Sequence, residues 1–293
     1  IRRFVEGIPD ETPPPPPPDA SHRQGRGSEK LQRVFNLNVT PKEQFKEITN
    51  VVQLPYDPAA HRKLSAEIAP QMRRLRQFLC DLGFGYDSNR MRTSGRRLDR
   101  TRLIPLIVRQ DPRVMVSRQV SFDNDLFLSV VVDCSGSMSG GDIEKARLFA
   151  TLVADACHGL PGVDVRLFGF TCSQIFDAGD ARKCAAHALD TSGGNNDAAG
   201  LAHAADAAFR SNRRAKALIM ISDGMPTDCS VDALRGLVRR LTYRYGIVCA
   251  QVATQELREV CFPNYVVLQS GHMTQAVTEF GTILRRLIQK ALQ

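Results

Sequence analysis

Apolar runs that alternate with amphipathic segments dominate the chain from about residue 103 onward. The run Leu126–Val132 is almost continuously apolar and β-branched, as expected of a strand buried on both faces. Further strands are predicted at 163–170, 173–178, 217–221, 247–252 and 265–268. Apolar residues recur with helical spacing over 142–158, 197–210, 230–243 and 274–291. This alternation predicts an α/β fold with a doubly wound, mostly parallel sheet that has helices on both faces.

The chain before residue 103 has a different pattern. Residues 1–55 contain the proline run Pro13–Pro18, so we expect a largely disordered linker there. Residues 59–83 have apolar residues at helical spacing, with Asp57-Pro58 as a start signal and Pro70 as a kink. We therefore divide the chain into a proline-rich linker (1–55), a helical, arginine-rich lead-in (56–119) and an α/β domain (120–293).

The net charge of +8 is concentrated in one stretch of the sequence. Between Arg73 and Arg118 lie twelve arginines and four acidic residues, a difference of eight that equals the excess of the whole chain. Few aromatic residues interleave with these arginines, so nucleic-acid binding is an alternative rather than the leading interpretation. A docking face for an acidic protein, or arginines paired with acids elsewhere in the fold, explains the stretch equally well.

Eight cysteines are dispersed along the chain without a Cys-x-x-Cys pair, which predicts free thiols in a reducing compartment rather than a zinc site. No apolar run reaches the roughly 20 residues that a membrane-spanning helix needs. No signal peptide is recognisable. We expect a cytoplasmic protein without a membrane segment and, because the chain begins with Ile1, a segment of a longer protein.

Polar side chains lie where ligands bind to such sheets, beyond the carboxyl ends of the strands. Two predicted strand ends and one glycine-rich turn before a helix carry them. Carboxylate and hydroxyl oxygens suit a hard cation such as Mg²⁺. For each residue taken singly, a structural role such as capping a helix or fixing a turn is the alternative. The candidate metal ligands are Asp133, Ser135, Ser137, Asn195, Asp197 and Asp223.

In this order, Asp133-x-Ser135-x-Ser137, a Gly-Gly turn into a helix and Asp223-Gly224 resemble the metal-ion-dependent adhesion site of von Willebrand factor A (VWA) domains. The resemblance covers about residues 120–293. It implies that these aspartates and serines gather around one Mg²⁺, or another divalent ion such as Mn²⁺ or Ca²⁺. The family usually has Thr where this chain has Asn195, so the third ligand is either the Asn195 carbonyl oxygen or Asp197.

A narrower resemblance rests on Asn195-x-Asp197, on residues 220–228 and on Gly95-x-x-Leu98-Asp99 before the domain. These motifs are similar to the VWA subunit of aerobic cobaltochelatase and, less closely, to the nitric oxide reductase activation protein. That group implies a partnership with a MoxR-type AAA+ ATPase and a client protein, for metal or cofactor insertion or for remodelling. The chain has no phosphate-binding Gly-x-x-x-x-Gly-Lys-Ser/Thr motif, so we do not expect it to hydrolyse ATP.

The leading hypothesis is a non-catalytic, metal-dependent interaction module that binds an acidic residue of a partner protein and serves as adaptor or co-chaperone for the ATPase. The first alternative is a nucleic-acid-linked or defence-system component that uses the stretch Arg73–Arg118. A stand-alone hydrolase ranks last, because a serine nucleophile needs a nearby base and no histidine stands in a recognisable triad context.

Overall fold

A computed structural model describes residues 35–36, 39–82, 84–93, 97–100, 103–122, 125–224, 226–256, 259–268, 275 and 277–282. These residues form two sheets. The strands are β1 (Asn50–Gln53), β2 (Phe84–Arg92), β3 (Arg97–Leu98), β4 (Met115–Phe122), β5 (Leu126–Asp133), β6 (Val163–Phe170), β7 (Gln174–Asp180), β8 (Ala215–Ser222), β9 (Val248–Ala253) and β10 (Tyr265–Val267).

Helices flank the larger sheet and connect its strands. Short 3₁₀ turns lie at Pro41–Glu43, Gly136–Met138 and Ala186–Ala188. A π-helical turn, Arg240–Arg244, directly follows the helix Val231–Arg239. Residues 277–282 are also helical. The α-helices are α1 (Pro58–Glu67), α2 (Ala69–Leu82), α3 (Leu103–Arg109), α4 (Gly141–Cys157), α5 (Asp197–Arg210) and α6 (Val231–Arg239).

The larger sheet has seven strands in the order β1-β7-β6-β5-β8-β9-β10. All neighbours are parallel except β6 and β7. Along the central strand β5, Leu128 and Val130 belong to the core shared with α4, whereas Phe127 and Val131 belong to the core shared with α5 and α6. Burial on both faces explains the continuous apolar run, and the predicted doubly wound, mostly parallel fold is confirmed.

The predicted helix at 59–83 is two helices. Asp57 caps α1 by accepting a hydrogen bond from the Ala59 backbone N–H (2.8 Å). The helix breaks at Ile68, because Pro70 has no N–H to donate and its ring clashes with the carbonyl four residues earlier. Leu75 and Leu79 of α2 are buried in the same core as α4. The proline therefore separates the helices while the apolar spacing still directs α2 onto the domain.

We had expected the lead-in to be helical, but it also contains β-strands. Residues 84–122 contribute the second sheet, three antiparallel strands in the order β2-β4-β3. The predicted domain boundary at residue 120 falls inside β4. The arginine-rich sequence between α2 and β5 thus contains a sheet of its own.

The end of the predicted linker also differs from expectation. Residues 39–54, here called the N-terminal strap, bury Phe45 and Ile48 and end in β1, the edge strand that pairs with β7. The Lys46 carbonyl accepts a hydrogen bond from Asn196 Nδ2 (2.8 Å), and Glu43 pairs with Arg240 (2.9 Å). The prediction of a largely disordered linker up to residue 55 is therefore wrong for the N-terminal strap. The proline run lies outside the described residues, and its disorder stays a prediction.

The eight cysteines are all free thiols, in line with the sequence prediction. In the part of the chain that the structure describes, no helix combines the length and apolar character that crossing a membrane requires.

Candidate metal centre

The candidate ligands meet at one edge of the larger sheet because their strands are parallel. Asp133 is the last residue of β5, and Asp223 directly follows β8, its hydrogen-bonded neighbour. The loop before α5 reaches the same edge, where Gly136 N donates to the Gly193 carbonyl (2.8 Å) and Ser192 N donates to the Cys134 carbonyl (2.8 Å). The loops that follow β5 and precede α5 are thus fixed to each other by backbone hydrogen bonds.

Asp133 is fully buried and holds two hydrogen bonds. Its Oδ1 accepts from the Ser135 backbone N–H (2.8 Å), and its Oδ2 accepts from Asn195 Nδ2 (2.9 Å). Burial raises the pKa of the Asp133 carboxyl to about 6, against the lowering effect of these hydrogen bonds, and the negative charge of Asp223 raises it further. Asp133 therefore has the turn-fixing role considered from sequence, and its buried negative charge would also be stabilised by a nearby positive charge.

Two hydroxyl oxygens lie next to this carboxylate. Ser135 Oγ and Ser137 Oγ are 3.0 Å apart, with Ser135 buried and Ser137 exposed. Ser135 begins the 3₁₀ turn without a capping hydrogen bond from its side chain. Ser135 therefore does not cap the following turn with its side chain, and its hydroxyl pairs with the exposed hydroxyl of Ser137 at the end of β5.

Asn195 is held by a residue that we did not consider from sequence, Thr227. Asn195 Oδ1 accepts from both the backbone N–H (2.7 Å) and the hydroxyl (2.8 Å) of Thr227. Gly194 permits this approach, because a Cβ there would lie 2.9 Å from Thr227 Oγ1 and 2.6 Å from Asp228 Oδ2. The only signal in the sequence was a hydroxyl residue in the loop after Asp223.

Asp197 begins α5 and is 2% exposed. Its Oδ2 accepts a long hydrogen bond from Asn195 Nδ2 (3.4 Å), and its Oδ1 has no hydrogen-bond partner among the residues that the structure describes. Burial raises the pKa of Asp197 well above its usual range, and the charges of Asp133 and Asp223 add to that effect. Three carboxylates therefore lie close enough to repel one another.

The donors at this edge fit a hard divalent ion. Hydroxyl and carboxylate oxygens are the ligands that Mg²⁺, Mn²⁺ and Ca²⁺ prefer. A cation would also give the unpartnered Asp197 oxygen a partner and reduce the repulsion among the three carboxylates. Within the described ranges, no group of three or more histidine, cysteine or acidic side chains is arranged to hold a metal ion. The candidate set combines hydroxyls with carboxylates instead: Asp133, Ser135, Ser137 and Asp197, with Asp223 acting through its charge.

Residues 128–284, more than half of the chain, match the family model of the von Willebrand factor type A domain. The matched range begins in β5 and contains every candidate ligand. A comparison with curated proteins finds no match.

Several solved structures are similar to this chain at low identity. The vWF domain of the type V pili tip protein Mfa5 from Porphyromonas gingivalis is 10% identical with a TM-score of 0.45, and the match covers 55% of this chain and 95% of that one. The SpRpn10 VWA domain is 13% identical with a TM-score of 0.42, covering 52% and 94%. The chain spans only 20% of a three-domain Mfa5 structure and 62% of a mutant PilB minor pilin from Streptococcus sanguinis. Because these TM-scores are below 0.5, the family assignment rests on the match to the family model and not on these structures.

Proposed function

Because the chain belongs to the von Willebrand factor type A family, whose domains are generally protein-interaction modules, we propose that it binds a partner protein through a divalent metal ion. The observation that carries the proposal is the meeting of Asp133, Ser135, Ser137 and Asp197 at the edge formed by β5 and the loop before α5. No nucleophile and base are required for this function, and we propose that the chain is not an enzyme.

Each residue has a defined part in the proposed contact. Asp133 supplies carboxylate oxygens from the end of β5 and Asp197 from the start of α5. Ser135 and Ser137 supply two adjacent hydroxyl oxygens, of which that of Ser137 is exposed. A divalent ion held by these residues would supply positive charge close to the surface, where Ser137 is exposed. An acidic residue of the partner protein is a suitable ligand for that ion, since Ser137 is exposed and leaves the site accessible.

We further propose a MoxR-type AAA+ ATPase and its client as the partners, in the cytoplasm. The support is the similarity of Asn195-x-Asp197 and residues 220–228 to the cobaltochelatase group. Exposed arginines of the lead-in, among them Arg73, Arg74 and Arg100, are placed to attract an acidic protein before contact. An ATPase encoded beside this chain, co-purified with it, would supply the natural partner for the experiment below.

The experiment is a pull-down of the MoxR-type ATPase on immobilised protein, with Mg²⁺ and with chelator. We expect the wild-type chain to bind the ATPase with Mg²⁺ and to lose that binding with chelator. We expect Asp133→Ala not to bind under either condition, because the central carboxylate is absent. Asp190→Ala is the matched control, since Asp190 is an exposed aspartate that lies two residues before Ser192, in the same loop, and is not one of the candidate ligands. Binding that ignores both chelator and Asp133→Ala would refute the metal-mediated contact.

The arginine stretch also carries the alternative of a nucleic-acid-linked component. Against it, α3 exposes Ile107 (78%) and Val108 (73%) beside Arg109, and exposed aliphatic side chains suit a protein surface better than a phosphate backbone. Arg113 is paired with Asp111 (2.9 Å), and Arg76 donates to the His158 carbonyl (2.8 Å). A salt-dependent gel shift of duplex DNA or RNA at low micromolar protein would favour the alternative.

A further inference from the structure

Asn195 and Asp197 present opposite chemical groups to the space beside Asp133. The backbone N–H of Thr227 can only donate a hydrogen bond, and it points at the Asn195 side chain at 2.7 Å. The atom that receives it must be the carbonyl oxygen Oδ1, so the orientation of this amide is fixed by chemistry. Its NH₂ group then faces the two carboxylates.

The Asn195 NH₂ group lies between the acidic side chains. Nδ2 is 2.9 Å from Asp133 Oδ2 and 3.4 Å from Asp197 Oδ2. An amide nitrogen with its hydrogens turned to this space repels a cation rather than binding it. Rotation of the amide by half a turn would set NH₂ against the Thr227 N–H, so that two donors would face each other beside the buried Asn195 side chain. Asn195 is thereby unsuited to be an oxygen ligand.

Asp197 has the complementary property. Its Oδ1 is buried and lacks a hydrogen-bond partner among the described residues, while its Oδ2 already accepts from Asn195. A buried carboxylate oxygen in this condition needs a proton or a cation. Asp133 and Asp223 bring negative charge to the same place, which favours a cation with more than one positive charge.

We propose that Asp197, and not Asn195, is the ligand that the start of α5 supplies to the divalent ion. Asn195 is a positioning residue: its amide is oriented by Thr227 and holds the carboxylates of Asp133 and Asp197 in place. This inference rests on the proposed metal-dependent function. It adds an order of events: with two carboxylate ligands, Asp133 and Asp197, and the negative charge of Asp223 nearby, the protein holds the metal before any partner arrives. The partner's own ligand then contributes to docking rather than to metal affinity.

The test is a titration of the metal-free chain with Mn²⁺ in the absence of a partner. Binding is monitored by the electron paramagnetic resonance signal of the free ion and, separately, by calorimetry. We expect wild type to bind Mn²⁺ and Asp197→Asn to bind it at least ten-fold more weakly. Asp206→Asn is the matched control, because Asp206 lies on the same helix, is also 2% exposed and also has an unpartnered Oδ1. We expect Asp206→Asn to keep wild-type affinity, and thermal unfolding of both variants checks that they fold.

Nuclear magnetic resonance separates the ligand from the positioning residue. On addition of Mg²⁺ we expect the carboxyl ¹³C signal of Asp197 to shift, and the side-chain carbonyl ¹³C signal of Asn195 to stay near its metal-free value because Thr227 remains its partner. Asn195→Thr, which restores the hydroxyl residue usual in the family, is expected to retain Mn²⁺ binding.

The outcomes distinguish the two proposals. Wild-type affinity in Asp197→Asn, together with loss of binding in Asp133→Asn, overturns the role of Asp197 and leaves the metal-dependent function intact. A shift of the Asn195 carbonyl signal on Mg²⁺ addition overturns its positioning role. Absence of Mn²⁺ binding by wild type contradicts the proposed function itself.

Discussion

His203 is a residue whose protonation is decided mainly by burial. It lies on α5 with its ring edge-on to Phe168, the two ring centroids being 4.8 Å apart. Burial lowers the pKa of His203 to about 4, and the positive charges of Arg210 and Arg166 lower it further. The neutral imidazole is therefore the form that fits the folded protein.

This burial predicts a pH dependence of stability. The pKa of His203 in the folded state lies below its unfolded value of about 6.5, so its stabilising effect is present above pH 6.5 and is lost as the pH falls toward 4. We expect His203→Gln, which cannot take up the proton, to escape about 1.4 kcal/mol of this loss per pH unit within that window. Urea unfolding of both proteins at pH 7.5 and pH 5 measures it. A stability difference that does not change between the two pH values would contradict the prediction.

The site shows which residues the sequence can predict and which it cannot. Asp133, Ser135 and Ser137 were predictable because a spacing of two after a buried strand places them at one edge. The orientation of Asn195 was not, since it depends on the backbone N–H of Thr227, 32 residues away. Residue type gives the available atoms, but a tertiary hydrogen bond decides which atom faces the ligand.

At the scale of elements, α5 packs against β6 through a glycine. A Cβ on Gly200 would lie 2.7 Å from the ring of Phe170, which is fully buried. The lack of a side chain therefore sets the distance between the helix and the sheet, and with it the position of Asp197 three residues earlier on the same helix.

We expect Gly200→Ala to destabilise the fold by about 1–3 kcal/mol, because the helix must move away from a ring that cannot yield. Gly141→Ala is the control: it also lies in a helix, but nothing is within 4 Å of its added Cβ, so the change should be neutral or slightly stabilising. Chemical unfolding of the three proteins measures both effects. Equal stability of Gly200→Ala and wild type would show that this contact does not limit the packing.

The strands and helices of the larger sheet were largely predictable, since burial on one or two faces leaves a regular apolar pattern. Residues 197–210 form the predicted helix without a shift. The exceptions have physical causes. β1 is four residues long and pairs with β7 more than 120 residues later, a contact with no local signal. β2 contains Gly, Asp, Ser and Asn, which are poor strand formers, and pairing with β4 overrides that preference.

For the whole molecule, the concentration of negative charge at one edge predicts that stability depends on divalent ions. An ion that binds only the folded state stabilises it by about 2.7 kcal/mol at a concentration one hundred times its dissociation constant. We expect Mg²⁺ to raise the melting temperature of wild type and to have little effect on Asp133→Asn, because the repulsion it relieves is then smaller. Thermal unfolding with equal ionic strength of Na⁺ as the control measures this. An equal shift in both proteins would indicate binding elsewhere.

The N-terminal strap gives the molecule a path for mechanical load. Tension on the chain before residue 39 would load the Lys42 carbonyl, which accepts from Ser230 Oγ, then the Glu43–Arg240 ion pair and the Lys46 carbonyl, before it shears β1 from β7. The atom bound to that carbonyl is Nδ2 of Asn196, which stands in sequence between Asn195 and Asp197. A pull on the strap would therefore act on the loop that carries Asn195 and leads into Asp197 at the candidate metal centre.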